Sequence, residues 1–265
     1  MDFPAYATLK TEMAEPHVLR VTINRPEAAN AINTQMGLDF LDLWTRLTAD
    51  AGDVRCVVLT GAGEKAFCAG GDLKERNGMT REQWLRQHEI FERQHWTLAD
   101  LYLPVIAAVN GHAYGGGFET VLSCDFAYAA NTARFALTEV TLGIMPGAGG
   151  TQNLPRAVGE RRAKEIIMTA RPFSAQQAYE WGVVNEVCEP LDLMPRVLET
   201  ARTIAGNAPL AIRQVKKSVR FGMQMELKTA YRFEVEAYNH LIETEDRYEG
   251  VKAFVEKRKP VFKGR

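Results

Sequence analysis

The sequence predicts an α/β fold in which helices cover a sheet. Short runs rich in β-branched residues alternate with helical segments in the first two thirds of the chain, and only helical periodicity follows. Hydrophobic residues make up 46% and charged residues 25% of the 265 positions, which is ordinary for a globular protein. The length accommodates one large domain, alone or with a smaller appendage.

The first strands flank a helix. Residues 18–23 (VLRVTI) and 54–61 (VRCVVLTG) have the β-branched composition of buried strands. Between them, apolar residues recur at a period of 3.6 and predict one buried helix face, formed by Met36, Phe40, Leu41, Leu43, Trp44 and Leu47.

Three further strands are predicted in the middle of the chain. Residues 104–111 (PVIAAVNG) form an apolar run that begins with proline and ends with glycine. Residues 126–130 (FAYAA) and 133–137 (ARFAL) are shorter candidates. Together with the first strands they give a β-α-β rhythm.

The pattern becomes wholly helical from about residue 191. Breaks at residues 206–209 and at Gly222 divide this part into several helices. The sequence therefore predicts a core over residues 1–190 and a helical C-terminal subdomain over residues 191–265. Mixed charges in residues 243–259 are typical of a solvated helix face.

Charge and composition argue against several classes of partner. A formal net charge of −1 favours neither nucleic acid nor an anionic membrane. The opening residues MDFPAYATLK lack a basic segment followed by an apolar one, and no apolar run is long enough to cross a bilayer. The four widely spaced cysteines favour buried thiols in a reducing compartment, so we expect a cytoplasmic protein.

Three glycine-bearing segments are candidates for a ligand site: residues 67–73 (FCAGGDL), 115–119 (GGGFE) and 146–152 (PGAGGTQ). Glycine lets a ligand approach backbone N–H groups closely, and two such groups aimed at one point form an oxyanion hole. None of the segments matches a nucleotide-binding fingerprint. Packing at strand-to-helix turns is the alternative explanation for each segment taken alone.

Two glutamates lie among these segments. Glu119 and Glu139 both have apolar neighbours, which predicts partial desolvation and a raised pKa suited to proton transfer near neutrality. Such a pair beside an oxyanion hole could activate one water without a metal or cofactor. The alternative is that Glu119 only caps its helix and that Glu139 is an exposed loop residue.

Taken together, the motifs resemble those of the crotonase superfamily, the enoyl-CoA hydratase/isomerase group. The similarity begins at NRPEAANAI, continues through FCAGGDLKE, PVIAAVNGHAYGGGFE and FALTEVTLGIMPGAGGTQ, and ends at AFVEKRKPVF. It implies a spiral of ββα units, an acyl-CoA thioester as ligand, no cofactor and no metal. It also implies a homotrimer or homohexamer.

The resemblance assigns roles to particular residues. It implies that Glu119 deprotonates the attacking water, that Glu139 exchanges the proton at Cα, and that the N–H groups of Ala69 and Gly116 hold the thioester oxygen. The full set implied for substrate and coenzyme A comprises Ala31, Ala69, Gly70, Gly71, Asp72, Gly116, Phe254 and Lys257.

The implied reaction is reversible syn addition of water to a trans-2-enoyl-CoA, as in fatty acid metabolism. The glutamate pair favours this over double-bond isomerisation. DLKERNGM resembles the methylglutaconyl-CoA hydratase branch, whereas GGGFE and FCAGGDL also resemble carnitinyl-CoA dehydratase, so the acyl group stays open. A non-catalytic acyl-CoA-binding or RNA-binding protein is the alternative from another class.

A helical segment after the first glycine motif is the candidate acyl pocket. Its apolar residues are Met79, Trp84, Ile90, Phe91 and Trp96, and core packing explains them equally well. His88 and His95 would share a face of that helix, but a third ligand at metal-binding spacing is missing from the pattern.

Overall fold

A computed structural model describes residues 3–265 and has the predicted α/β architecture. Within those residues the strands are β1 (Leu9–Glu15), β2 (Val18–Ile23), β3 (Cys56–Gly61), β4 (Ala66–Cys68), β5 (Val105–Val109), β6 (His112–Tyr114), β7 (Phe126–Ala130), β8 (Arg134–Ala136), β9 (Phe173–Ser174) and β10 (Glu186–Cys188).

The helices alternate with the strands in the first two thirds of the chain and then follow one another. They are α1 (Thr34–Ala49), α2 (Leu73–Arg76), α3 (Arg81–Asp100), α4 (Gly116–Ser123), α5 (Gly150–Val158), α6 (Glu160–Thr169), α7 (Ala175–Glu180), α8 (Pro190–Ala205), α9 (Pro209–Gly222), α10 (Leu227–Ile242) and α11 (Glu245–Val255).

Successive strands step between two sheets. The larger sheet has the order β1-β2-β3-β5-β7-β10 and is parallel except for the β1–β2 pair. The smaller sheet has the order β4-β6-β8-β9, with β4, β6 and β8 parallel. A strand in the large sheet, a strand in the small sheet and a helix therefore recur, which confirms the predicted spiral of ββα units.

The large sheet is buried on both faces. In β3, for example, Val57 and Leu59 contribute to one apolar cluster with α1, whereas Cys56 and Val58 contribute to another with α8. Successive side chains of a strand point to opposite faces, so a strand covered on both sides has a continuous apolar sequence. That is why this strand was recognisable from sequence.

The C-terminal helices differ in what they cover. Helix α8 packs on the large sheet through Leu193, Val197 and Ala201 and is part of the core layer. Helices α9 and α10 carry large apolar side chains exposed to solvent, namely Val215, Val219, Phe221, Leu227, Tyr231, Val235 and Tyr238. The division at residue 191 stays a prediction. Among residues 3–265, no helix has the length and apolarity required to span a bilayer.

Candidate active site

The first two glycine segments meet at the carboxyl ends of β4 and β6 in the small sheet. Strands β4 and β6 are parallel neighbours, so residues 69–72 after β4 lie beside the start of α4. The approach is very close: a Cβ on Gly117 would lie 2.2 Å from the carbonyl oxygen of Cys68. Only glycine permits this contact, and packing thus accounts for one of the three consecutive glycines.

The loop after β4 is held on its other side by the NRPEAANAI segment. Ile32 bridges Gly71 in parallel fashion: the Ile32 N–H donates to the Gly70 carbonyl (2.7 Å) and the Asp72 N–H to the Ile32 carbonyl (2.9 Å). In such a bridge the flanking residues make the bonds. The N–H of Gly71 itself therefore points away from the backbone of Ile32.

The N–H of Ala69 faces a different direction. It donates to the carbonyl of Ala29 at 3.1 Å. Gly70 has a φ of +89°, in the left-handed region, and this reverses the chain between Ala69 and Gly71. The N–H predicted as a donor at Ala69 is thus already engaged, which leaves the N–H of Gly71 as the candidate donor of this loop.

Gly116 provides the second backbone donor. It is the first residue of α4, and the first N–H groups of a helix have no intrahelical acceptor. Its nitrogen lies 3.2 Å from the position that a Cβ on Gly70 would occupy. The loop at Gly70 and Gly71 therefore lies directly beside the N–H of Gly116, and the helix dipole makes this position favourable for negative charge.

Glu119 is fixed in the first turn of α4 by the third glycine segment. The side chain is 3% exposed, and its Oε1 accepts hydrogen bonds of 2.8 Å from the N–H groups of Ala148 and Gly150. Burial raises the pKa of Glu119, and the backbone donors counteract part of that rise. The alternative that Glu119 only caps its own helix is wrong, because it binds a separate loop.

Glu139 begins a 3₁₀ turn that follows β8 and is only 8% exposed. Its Oε1 lies 3.2 Å from the position that a Cβ on Gly115 would occupy, so the carboxyl faces the start of α4. Its Oε2 is buried without a hydrogen-bond partner among the described residues. Burial, together with the charge of Glu119, raises the pKa of Glu139 to about 7. The alternative of an exposed loop residue is wrong.

The environments of Glu119 and Glu139 favour different protonation states of the two carboxyl groups. Glu119 is held by two N–H donors that favour its ionised form, whereas Glu139 has an orphan oxygen that favours its protonated form. Groups whose surroundings push their pKa values apart are suited to act as base and acid. The arrangement can hold one proton near neutrality and move it.

The other residues predicted for the ligand differ in position. Ala31 lies next to the bridge at Ile32, and its carbonyl accepts from Arg25 Nη1 (2.6 Å). Asp72 caps α2 and pairs with the same guanidinium at 3.0 Å. Both therefore lie beside the glycine loop, where Asp72 stabilises the loop's exit.

Phe254 and Lys257 are not brought to this loop within one chain. The C-terminal segment passes the start of β3, where Arg55 Nη2 donates to the Phe262 carbonyl at 2.9 Å. The glycine loop lies past the other end of β3, roughly 20 Å away for a six-residue strand. Phe254 is 84% exposed.

The candidate acyl-pocket residues lie in different environments. Phe91 is buried against Gly37 of α1, as is part of Ile90, which makes them core residues. Trp96 is 60% exposed. Trp84 stacks with Arg76, whose guanidinium lies against Gly71, so Trp84 borders the glycine loop.

The two histidines of α3 do not form a metal site. His95 is buried, and burial lowers its pKa to about 4, so it is neutral in the core. His88 lies against Gly147 instead. Across the described part of the chain, no cluster of three potential metal ligands is present.

Comparison with known proteins agrees with the fold. The model of the family described as enoyl-CoA hydratase/isomerase matches residues 13–265. The short-chain-enoyl-CoA hydratase of Clostridium acetobutylicum is 44% identical over 249 residues, covering 92% of this chain and 94% of that protein. The crotonyl-CoA hydratase of Syntrophomonas wolfei is 39% identical over 240 residues, covering 91% and 92%.

A solved structure shows the same fold along nearly the whole chain. The enoyl-CoA hydratase of Bacillus anthracis superposes with a TM-score of 0.95 at 45% sequence identity, covering 97% of this chain and 100% of the other.

Proposed function

This chain belongs to the enoyl-CoA hydratase/isomerase family, and from that premise we propose that it hydrates trans-2-enoyl-CoA thioesters reversibly. The supporting observation is the unequal glutamate pair: Glu119 held by two backbone donors, and Glu139 buried with an unpartnered oxygen and a pKa of about 7. Glu119 lies in the first turn of α4 and the carboxyl of Glu139 faces that turn, near the proposed backbone donors of Gly71 and Gly116.

The proposed reaction needs one proton on the carboxyl pair. The thioester oxygen accepts from the N–H groups of Gly71 and Gly116, which stabilise the negative charge that develops there. Glu119 removes a proton from the attacking water, while Glu139 delivers a proton to Cα. Dehydration reverses both transfers, with no cofactor; coenzyme A enters as part of the substrate.

Replacing each carboxyl by an amide tests the assignment. Loss of the enoyl-thioester absorbance is followed with crotonyl-CoA for the wild type, Glu119→Gln and Glu139→Gln. Each variant is expected to lose roughly 100- to 10,000-fold in kcat, the usual contribution of general acid–base catalysis. Glu165→Gln, on the exposed side of α6, is the matched control. Near-wild-type turnover in both active-site variants would reject the proposal.

The second candidate is a related acyl-CoA dehydratase or isomerase with the same pair. A product screen with enoyl, 3-hydroxyacyl, methylglutaconyl and carnitinyl thioesters separates these reactions. A non-catalytic acyl-CoA-binding or RNA-binding protein is disfavoured by the raised pKa of Glu139 and by the net charge of −1. RNA affinity that survives physiological salt would reverse that judgement.

Assembly into trimers, alone or paired into hexamers, is part of the proposal. The exposed apolar side chains of α9 and α10, including Val219, Tyr231 and Val235, support it because so large an apolar surface favours association. Phe254 and Lys257, which lie away from the glycine loop, would then contact the nucleotide end of coenzyme A, from the same or a neighbouring subunit. Sedimentation at micromolar concentration tests this, and a one-subunit mass contradicts it. We place the protein in the cytoplasm, in acyl-CoA metabolism.

A further inference from the structure

The guanidinium of Arg76 borders the glycine loop but makes none of the hydrogen bonds that hold the loop. Arg76 is the last residue of α2 and is partly buried. Its Cζ and Nη1 lie 3.4 Å from the position that a Cβ on Gly71 would occupy. The positive group therefore lies against the backbone residue to which we assign the first oxyanion donor.

The guanidinium of Arg76 forms no ion pair within 4 Å among residues 3–265. The neighbouring Glu75 is engaged elsewhere: its Oε2 accepts from Thr34 N–H (2.8 Å) and Gln87 Nε2 (2.7 Å). Burial lowers the pKa of Arg76 and the nearby charge of Glu75 partly opposes this, and a guanidinium stays protonated at neutral pH. A cation partly removed from water is costly unless an anion joins it.

The orientation of this guanidinium is fixed. Its Nε donates to Gln87 Oε1 at 2.7 Å, and its Cζ lies 4.3 Å from the ring centroid of Trp84 and 5.4 Å from that of Phe91. Both rings are within cation–π range. The two terminal Nη groups donate to none of the described residues. They are therefore free to bind a carboxylate through two parallel hydrogen bonds, and this planar pair of donors is called the Arg76 fork below.

The position of the fork indicates whether it would contact the acyl end or the coenzyme A end of the thioester. The thioester oxygen lies on the N–H of Gly71, whereas the phosphates of coenzyme A are separated from it by the whole pantetheine arm. We propose that Arg76 binds a carboxylate on the acyl chain, so that the substrate is a trans-2-enoyl-CoA whose acyl group ends in a second carboxylate. This rests on the proposed hydration at the same site.

Two thioesters of equal chain length test the proposal: glutaconyl-CoA, which ends in a carboxylate, and trans-2-pentenoyl-CoA, which ends in a methyl group. The wild type is expected to favour glutaconyl-CoA in kcat/KM. Arg76→Met is expected to reduce that preference roughly 10- to 100-fold, mainly through KM, because a charge-assisted hydrogen-bonded pair is lost. Arg76→Lys keeps the charge but not the fork, so its preference for glutaconyl-CoA should lie between those of the wild type and Arg76→Met.

Arg81→Met is the matched control, since Arg81 is an exposed arginine at the start of α3 and should leave the preference as it is. A wild type without preference for glutaconyl-CoA overturns the proposal. So does an Arg76→Met variant that loses kcat/KM equally for both thioesters, since the residue would then act on the shared coenzyme A arm or on the fold. Arg76→Lys decides the question if Arg76→Met does not fold. A wild type that hydrates neither thioester refutes the proposed function itself.

Discussion

The Oε1 atom of Glu119 accepts a hydrogen bond of 2.8 Å from the N–H of Gly150, the first residue of α5. A Cβ on Gly150 would lie 2.9 Å from that oxygen and 2.9 Å from Cβ of Pro146. The third glycine segment therefore positions a carboxylate, and glycine at residue 150 is what allows the contact.

Gly150→Ala should displace Glu119 and lower kcat. Misplacing a catalytic group by about 1 Å costs on the order of 100-fold. Gly222→Ala is the control, because its Cβ would meet only Ala230 Cβ, at 3.7 Å. Hydration of crotonyl-CoA by purified variants is the measurement. Equal kcat values for Gly150→Ala and Gly222→Ala would show that Glu119 does not depend on this contact.

The pH dependence of the reaction should have an alkaline limb near pH 7. The active pair carries one proton, and burial together with the charge of Glu119 raises the pKa of Glu139 to about 7, so the pair loses that proton above this pH. Hydration consumes no net proton, and kcat/KM should fall with the same limb in both directions. Profiles of kcat/KM from pH 5 to 9 for crotonyl-CoA and 3-hydroxybutyryl-CoA check this. Limbs that differ between the two directions would contradict a shared proton.

The same carboxyl should reduce stability at alkaline pH. Between its ordinary value of 4.5 and about 7, Glu139 binds more protons in the folded than in the unfolded state, so the free energy of unfolding decreases as pH rises through this window. Glu139→Gln removes the effect. We expect the variant to be more stable than the wild type at pH 8 by on the order of 1 kcal/mol, allowing for solvent screening, and nearly equal at pH 4.5.

Thermal unfolding of the wild type and Glu139→Gln at pH 4.5, 6 and 8 measures this difference. Glu165→Gln, which changes an exposed carboxyl, should show no such trend. A constant difference in Tm across the three pH values would mean that the carboxyl is not buried in its neutral form.

The predicted strands succeeded where burial is complete. Residues 54–61 contain β3 and residues 104–111 contain β5, because strands covered on both faces have continuous apolar sequences. Strands β4, β6 and β9 were missed as strands, since two or three residues are too few to establish a period. Edge strand β1 was missed because its exposed side chains make LKTEMAE read as polar.

The candidate site, too, was predictable from the sequence only in part. Glu119 and Glu139 were predictable because carboxylates with apolar neighbours are unusual in sequence. The direction of a backbone N–H was not, because it depends on the φ of +89° at Gly70, which separates the donors of Ala69 and Gly71. The Arg76 fork was also missed, since its partners Trp84 and Gln87 come from a different helix.

Asn30 should be the most sensitive residue that supports the glycine loop without contacting substrate. It is fully buried, its Nδ2 donates to the carbonyls of Ala62 (2.9 Å) and Ala66 (2.8 Å), and its Oδ1 accepts from Arg25 N–H (3.0 Å). Its φ is +57°, and Ala29 before it has a φ of +50°. Asparagine tolerates this left-handed region better than other non-glycine residues.

Asn30→Ala should lower the free energy of unfolding by about 2–4 kcal/mol, because it leaves buried backbone groups unpaired and removes the residue suited to the backbone conformation. Asn131→Ala is the control, since its one side-chain hydrogen bond, to Glu189, is exposed. Urea unfolding at pH 7 measures both. A loss below 1 kcal/mol in Asn30→Ala would mean that the bridge between Ile32 and Gly71 holds the loop without this side chain.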